Sequence, residues 1–211
     1  MTSDRSGLRE RKKQTTQKAL REAALRLALE RGPENVRVDD IAAAAGVSPR
    51  TYNNYYSSRE QAIVAAVTAE REARVAQAVA AAPTARLSDA VVEAVVREYA
   101  DPGEEHQAVL LLVTTGSALR EAFLRTATGI EPSLTAVLAE RLGDGQRHAA
   151  RILAASVAAA VRIALERWLQ PESPRTGGLL VPVGSLPELL RSSLAPLRPA
   201  LDAAEAARAE N

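Results

Sequence analysis

The stretch IAAAAGVSPRTYNNYY, residues 41–56, decides the fold. It reads as a helix, a tight turn and a second helix. Val38, Ile41, Ala42 and Ala45 fall at i, i+3, i+4 and i+7, one face of an amphipathic helix. Gly46 is placed to end that helix, because a left-handed C′ residue costs glycine no Cβ clash. Ser48 is a good N-cap, and Pro49 sits at N1, where a missing N–H goes unfelt. Two helices with about three residues between them must cross steeply, as in a helix-turn-helix.

The second helix sorts its side chains. At roughly 100° per residue, Tyr52 and Tyr56 share one side. Arg50, Asn53 and Asn54 share the opposite side, flanked by Thr51 and Tyr55. An aromatic pair facing inward leaves an arginine and two asparagines facing out. Asn can bond adenine through two atoms in the major groove, and Arg can do the same to guanine. A solvated polar face is the plain alternative. The caps, the tight turn and the flanking bases favour DNA.

The wider stretch VDDIAAAAGVSPRTYNNYYSSREQA, residues 38–62, closely resembles the DNA-binding signature of the tetracycline-repressor (TetR) family. The Ile-Ala-x-x-Ala-Gly-Val-Ser core, the Thr51-aromatic pair and the Tyr-aromatic-x-Ser-basic-Glu tail all match. Arg59 stands where the family usually has Lys, and Tyr56 where Phe is commoner; charge and ring are kept. The resemblance implies an all-α fold of about nine helices. It would have an N-terminal three-helix helix-turn-helix domain, residues 1–62, and a helical regulatory and dimerisation domain, residues 63–211. Phosphate contacts fix register and base contacts choose sequence. Arg37, Tyr55 and Arg59 are expected at phosphates, and Arg50, Asn53 and Asn54 mainly at bases. Ser48 and Thr51 complete the surface at the start of the recognition helix.

The net charge of +1 hides an asymmetry. Residues 1–62 carry 12 Lys+Arg against 8 Asp+Glu, a net of +4, and the remainder carries 15 against 18, a net of −3. A basic head on a mildly acidic body suits docking on phosphate through one end. Arg11, Lys12 and Lys13 lie in the first turns of a helix expected near residues 8–31. Cations there oppose the helix dipole, and phosphate contact would explain them. With no cysteine, disulfides and thiolate metal sites are excluded. No run of eighteen apolar residues suggests a membrane span, and the basic N-terminus lacks the apolar stretch of a signal peptide. A cytoplasmic location is expected.

Residues 1–7 are polar and expected to be disordered. Ser57 with Glu60, or Ser58 with Gln61, makes a capping box for a fourth helix reaching about Val79. Val92, Val95, Val96 and Tyr99 stripe a fifth helix. The apolar run VLLLV, 109–113, should be enclosed by other helices, although a buried strand would read the same way. Pro132 should break or kink the segment 117–142. Residues 146–170 give the longest amphipathic stretch. A Pro/Gly-rich loop, 171–184, then leads to a Ser185/Glu188 capping box and a leucine-lined helix bent at Pro196 and Pro199. The tail from Ala203 is expected to fray.

VRIALERWL, 161–169, followed by the leucine-lined helix, resembles the family's C-terminal region more weakly. There the last two helices pair with their mates in a second subunit. Val157, Val161, Ala164, Leu165, Leu190, Leu194 and Leu197 are the expected homodimer interface, unless both stripes bury inside the monomer. The resemblance also implies a small-molecule effector, unidentified, in a pocket of the body. Tyr99, Leu112, Phe123 and Trp168 are candidate walls, and the stripes favour an apolar ligand. No catalytic constellation is found: His106 and His148 are far apart, and no phosphate loop occurs. No cofactor or metal is expected. The sequence therefore predicts a non-enzymatic, homodimeric repressor on a palindromic operator. The alternative is a helical interaction module whose helix-turn-helix is only a structural corner.

Overall fold

The computed structural model describes residues 3–100, 113, 116–126, 129–169 and 185–209. All regular structure among them is helical, in keeping with the periodicity. The chain divides into two compact units, Met1–Val67 and Thr68–Asn211.

The first unit holds α1 (Ser3–Arg31), α2 (Val38–Ala44), α3 (Pro49–Asn53) and the start of α4 (Arg59–Ala80). Helix α1 begins inside the stretch expected to be disordered. Its stripe Leu20, Ala23, Ala24 and Leu27 is buried, together with Val36, Ile41, Ala42, Tyr52, Tyr56 and Ile63. The α2–α3 turn forms as its residues dictate. Gly46 takes φ 69°. Val47 N donates to Ala42 O at 2.9 Å and Gly46 N to Ala43 O at 3.1 Å, the paired closing bonds of a Schellman motif. Ser48 Oγ accepts from Thr51 N at 3.1 Å and caps α3. At α4 the capping register is that of Ser58: its Oγ accepts from Gln61 N at 3.2 Å. Gln61 Oε1 reaches back to Ser57 N at 2.8 Å.

The second unit holds the rest of α4, then α5 (Leu87–Ala100), α6 (Ser117–Thr126), α7 (Ile130–Leu142), α8 (Arg147–Trp168), α9 (Leu186–Leu194) and α10 (Arg198–Ala209). Helix α8 lies at its centre, packed most extensively on α7 and α9, and α9 and α10 both pack on α5. Pro132 falls in the first turn of α7, where no N–H is required, so the break lies before it. Pro196 occupies a 3₁₀ turn, Ala195–Leu197, that divides α9 from α10. Val113 is buried. The rest of the apolar run 109–113 and the loop 171–184 lie outside the described residues, as does His106.

Three expectations for this unit change. Ser185 precedes α9 without a side-chain capping bond. The tail does not fray: α10 runs to Ala209, because its acidic residues have distant partners. Leu87 N, the first of α5, donates to Glu205 Oε2 at 2.8 Å, and Ser88 N to Asp202 Oδ1 at 3.2 Å. Arg141 Nε donates to Glu205 Oε1 at 2.8 Å, while its Nη1 and Nη2 donate to Ala82 O and Ala85 O. One guanidinium thus ties α7, α10 and the α4–α5 turn together.

The third change concerns the expected dimer interface. Val157, Val161, Ala164, Leu165, Leu190 and Leu194 are at most 1% exposed within a single chain, and Leu197 is half-buried. A helix turns its strongest apolar stripe to its own core first, so these six are not available to a partner. A second stripe remains on α8. Ile152 is 52% and Ile163 51% exposed. Eleven residues apart, they lie about 20° from one another around the helix. Half-buried Ser156 and Ala159 fall between them. Helix α8 is also long and apolar enough to cross a membrane. Its charges Arg147, Arg151, Arg162, Glu166 and Arg167, and its buried stripe against α7 and α9, are those of a core helix.

Candidate nucleic-acid interface

Helix α3 is short, five residues, with Asn54 as its C-cap. Its inner side is pinned by the two tyrosines. Tyr52 is wholly buried and its hydroxyl donates to Ser58 O at 2.7 Å. Tyr56 is 4% exposed and its hydroxyl donates to Gln17 O on α1 at 3.3 Å. Their rings lie 5.9 Å apart, tilted by 47°, a favourable aromatic arrangement. Burial pushes the Tyr52 phenol well above its ordinary pKa and raises that of Tyr56, so both stay protonated donors. These bonds fix α3 against α1 and the start of α4.

The outer side carries what the sequence placed there. Arg50, Asn53 and Asn54 are exposed, and Thr51 and Tyr55 are half-exposed. Ser48 and Thr51 share a hydroxyl–hydroxyl hydrogen bond of 2.9 Å at the head of the helix. Arg37 is exposed at the N-terminus of α2, where its backbone N–H donates to Asp40 Oδ2 at 3.2 Å. Arg11, Lys12 and Lys13 are exposed on α1. Beside them a shallow groove along α1 is lined by Arg11, Gln14, Thr15, Gln17, Lys18 and Arg21. Among the described residues, none of Arg11, Lys12, Lys13, Arg37 and Arg50 has an ion-pair partner. Unpaired guanidinium and ammonium groups around an amide-bearing helix can meet phosphates and base edges together.

Arg59 is different. Its Nη1 donates to Glu34 O at 2.9 Å and Val36 O at 2.8 Å, and its Nε to Glu60 Oε1 at 2.8 Å. Burial raises the Glu60 carboxyl, but hydrogen bonds from Arg59, the backbone and Ser58, with the Arg59 charge, together hold it below its ordinary range. Arg59 therefore anchors α4 to the turn before α2. Sequence reasoning missed this, and it missed the Gln17 carbonyl that receives Tyr56. In both cases the acceptor is a backbone carbonyl, which leaves no mark on the sequence.

The four candidate pocket residues are not brought together in any described cavity. Tyr99 and Phe123 are buried, Trp168 is half-buried, and Leu112 lies outside the described residues. Tyr99 lies against Arg71, whose guanidinium carbon sits 4.7 Å from the ring centroid. His148 is exposed. No group of three metal-ligating side chains occurs among the described residues.

Comparison with known proteins agrees with this geometry. The profile of "Bacterial regulatory proteins, tetR family" matches residues 20–66, from the buried stripe of α1 to the start of α4. The chain is also similar to the HTH-type transcriptional regulator TcmR of Streptomyces glaucescens, 29% identical over 151 residues, covering 67% of each protein. That similarity extends well past the head. Residues 20–66 thus carry the DNA-binding region of the tetR family, and both comparisons support a transcriptional regulator of that family.

Proposed function

We propose that the protein is a homodimeric repressor that lays α3 in the major groove of a palindromic operator and leaves it when a small molecule binds the second unit. One observation carries the DNA-reading part. The inner side of α3 is pinned by Tyr52 and Tyr56, while Arg50, Asn53 and Asn54 stand exposed opposite. Asn53 and Asn54 with Arg50 read bases; Arg11, Lys12, Lys13, Arg37 and Tyr55 hold phosphates; Ser48 and Thr51 shape the start of the helix. Arg59 joins them only indirectly, by holding α4 in place. A two-fold dimer sets half-sites about 34 Å apart or slightly more.

The second copy docks on the α8 stripe of Ile152, Ser156, Ala159 and Ile163. Exposed isoleucines one above the other favour a self-complementary contact. Helix α4 begins in the first unit and continues into the second, so it is the direct route by which a ligand moves the head. The ligand must bind the released state better than the DNA-bound state. The protein needs no cofactor, performs no catalysis and works in the cytoplasm.

The test is a gel shift on the DNA upstream of the protein's own gene. Asn53→Ala with Asn54→Ala is expected to weaken specific binding by about 1–3 kcal/mol per lost bidentate contact while leaving non-specific binding intact. Unchanged discrimination would sink the base-reading assignment. Lys12→Ala is expected to weaken binding to all sequences alike and to flatten the salt dependence by about one ion.

A further inference from the structure

Arg71 occupies a position where α4 should be apolar. Thr68, Arg71, Val75 and Val79 follow one another along the buried face of that helix, and Arg71 is only 4% exposed. A guanidinium does not shed its proton in a protein, so burial cannot be evaded by neutralisation. Among the described residues its Nε has no hydrogen-bond partner. Glu98 and Glu72 attract Arg71 through space, but Glu98 makes its described hydrogen bonds elsewhere. Glu98 Oε2 takes Arg74 at 2.8 Å and its Oε1 takes Arg97 at 3.3 Å. Glu72 lies against Gly129, at the start of α7. What Arg71 does have is the face of the Tyr99 ring, 4.7 Å from its guanidinium carbon, which offsets part of the cost. Burial pushes the Tyr99 phenol up to about 12, so it remains a hydroxyl donor. Thr68 apart, the buried positions nearby in sequence on α4 and α5, such as Val75, Val95 and Val96, are apolar.

We propose that Arg71 and Tyr99 form the anion-recognising end of the effector site, which takes an apolar, planar organic molecule bearing one carboxylate or comparably acidic oxygen. The guanidinium supplies the charge and the unpaired N–H. The phenol supplies a neutral donor beside it. The apolar positions receive the rest of the molecule. This rests on the reading of the second unit as ligand-responsive, and it replaces a purely apolar ligand with an anionic one.

The experiment is a thermal-shift titration of the full chain with 2-naphthoate and with its neutral amide. A ligand that binds only the folded state raises the melting temperature with concentration. The acid is expected to raise it by several degrees and the amide not at all. Arg71→Met is expected to lose the response while melting, without additive, at or above the wild-type temperature, because it removes a buried charge that its surroundings compensate only in part. Equal responses to acid and amide, no response to either, a response retained in Arg71→Met, or a marked drop in that variant's own melting temperature each overturn the proposal. Operator binding by the wild-type chain is measured alongside. A chain that binds operator but ignores both compounds loses only the anion site; one that binds no operator loses the DNA reading instead.

Discussion

Residues on α3 and just after it have unlike tasks, and their hydrogen bonds say which is which. Tyr52 gives its hydroxyl to Ser58 O at 2.7 Å, whereas Tyr56 reaches Gln17 O at only 3.3 Å. Tyr52→Phe keeps the ring and leaves a carbonyl short of a donor. It is expected to cost the head about 0.5–1.5 kcal/mol in denaturant unfolding, and Tyr56→Phe less. An equal loss from the two variants would contradict the ranking. The inward turn of both tyrosines was legible from helical spacing alone. The role of Arg59 was not. Its charge suggested a phosphate, but its acceptors are the carbonyls of residues 34 and 36, more than twenty positions earlier. A sequence displays side chains, and backbone acceptors become visible only when the chain is folded.

At the scale of elements, local chemistry was the most readable. Gly46, Ser48 and Pro49 act within a few residues of themselves, so the α2–α3 turn could be written from the sequence almost bond by bond. Gly46→Ala places a Cβ at φ 69°, with open space around it, so only backbone strain opposes the change. The expected loss is about 1 kcal/mol in head stability. Ser48→Ala removes the cap on Thr51 N and is expected to cost about 1 kcal/mol as well. Differential hydrogen exchange on residues 49–54 would check both, through faster opening of α3. The Ser185 box failed for the opposite reason: a matching pattern of residue types does not oblige the bond to form. Periodicity likewise found the buried faces of α8 and α9 correctly but could not tell who covers them. The stripe assigned to a partner belongs to the chain itself, and the weaker stripe at Ile152 and Ile163 is the one left open.

For the whole molecule, the proposed homodimer rests on that open stripe. Ile152→Glu with Ile163→Glu is expected to yield a folded monomer in light scattering, with unchanged helicity by circular dichroism. A dimer that survives both charges would move the interface elsewhere. Acid stability is a second global property. Burial would raise the Glu98 carboxyl, but hydrogen bonds from Arg74 and Arg97 more than reverse this and hold it below its ordinary value. A depressed carboxylate contributes stability that is complete above the unfolded value, near pH 4.3, and lost as pH falls through the lower folded value. Glu98→Gln should therefore lower the melting temperature at neutral pH and remove part of its decline below about pH 4. Parallel melting curves for the two proteins across that window would refute the assignment.

The caps on α5 have a consequence in time. The carboxylates that receive Leu87 N and Ser88 N come from Glu205 and Asp202, 118 and 114 positions downstream. A ribosome releases α5 long before it has made them. Until α10 emerges, the first turn of α5 must hydrogen-bond to water, and Arg141 lacks its carboxylate partner Glu205. In the first unit the long-range bonds from Tyr56 to Gln17 and from Arg59 to Glu34 and Val36 all reach back to residues made earlier. Vectorial synthesis therefore favours a nascent chain whose DNA-reading head is finished while its body still waits for its last helix.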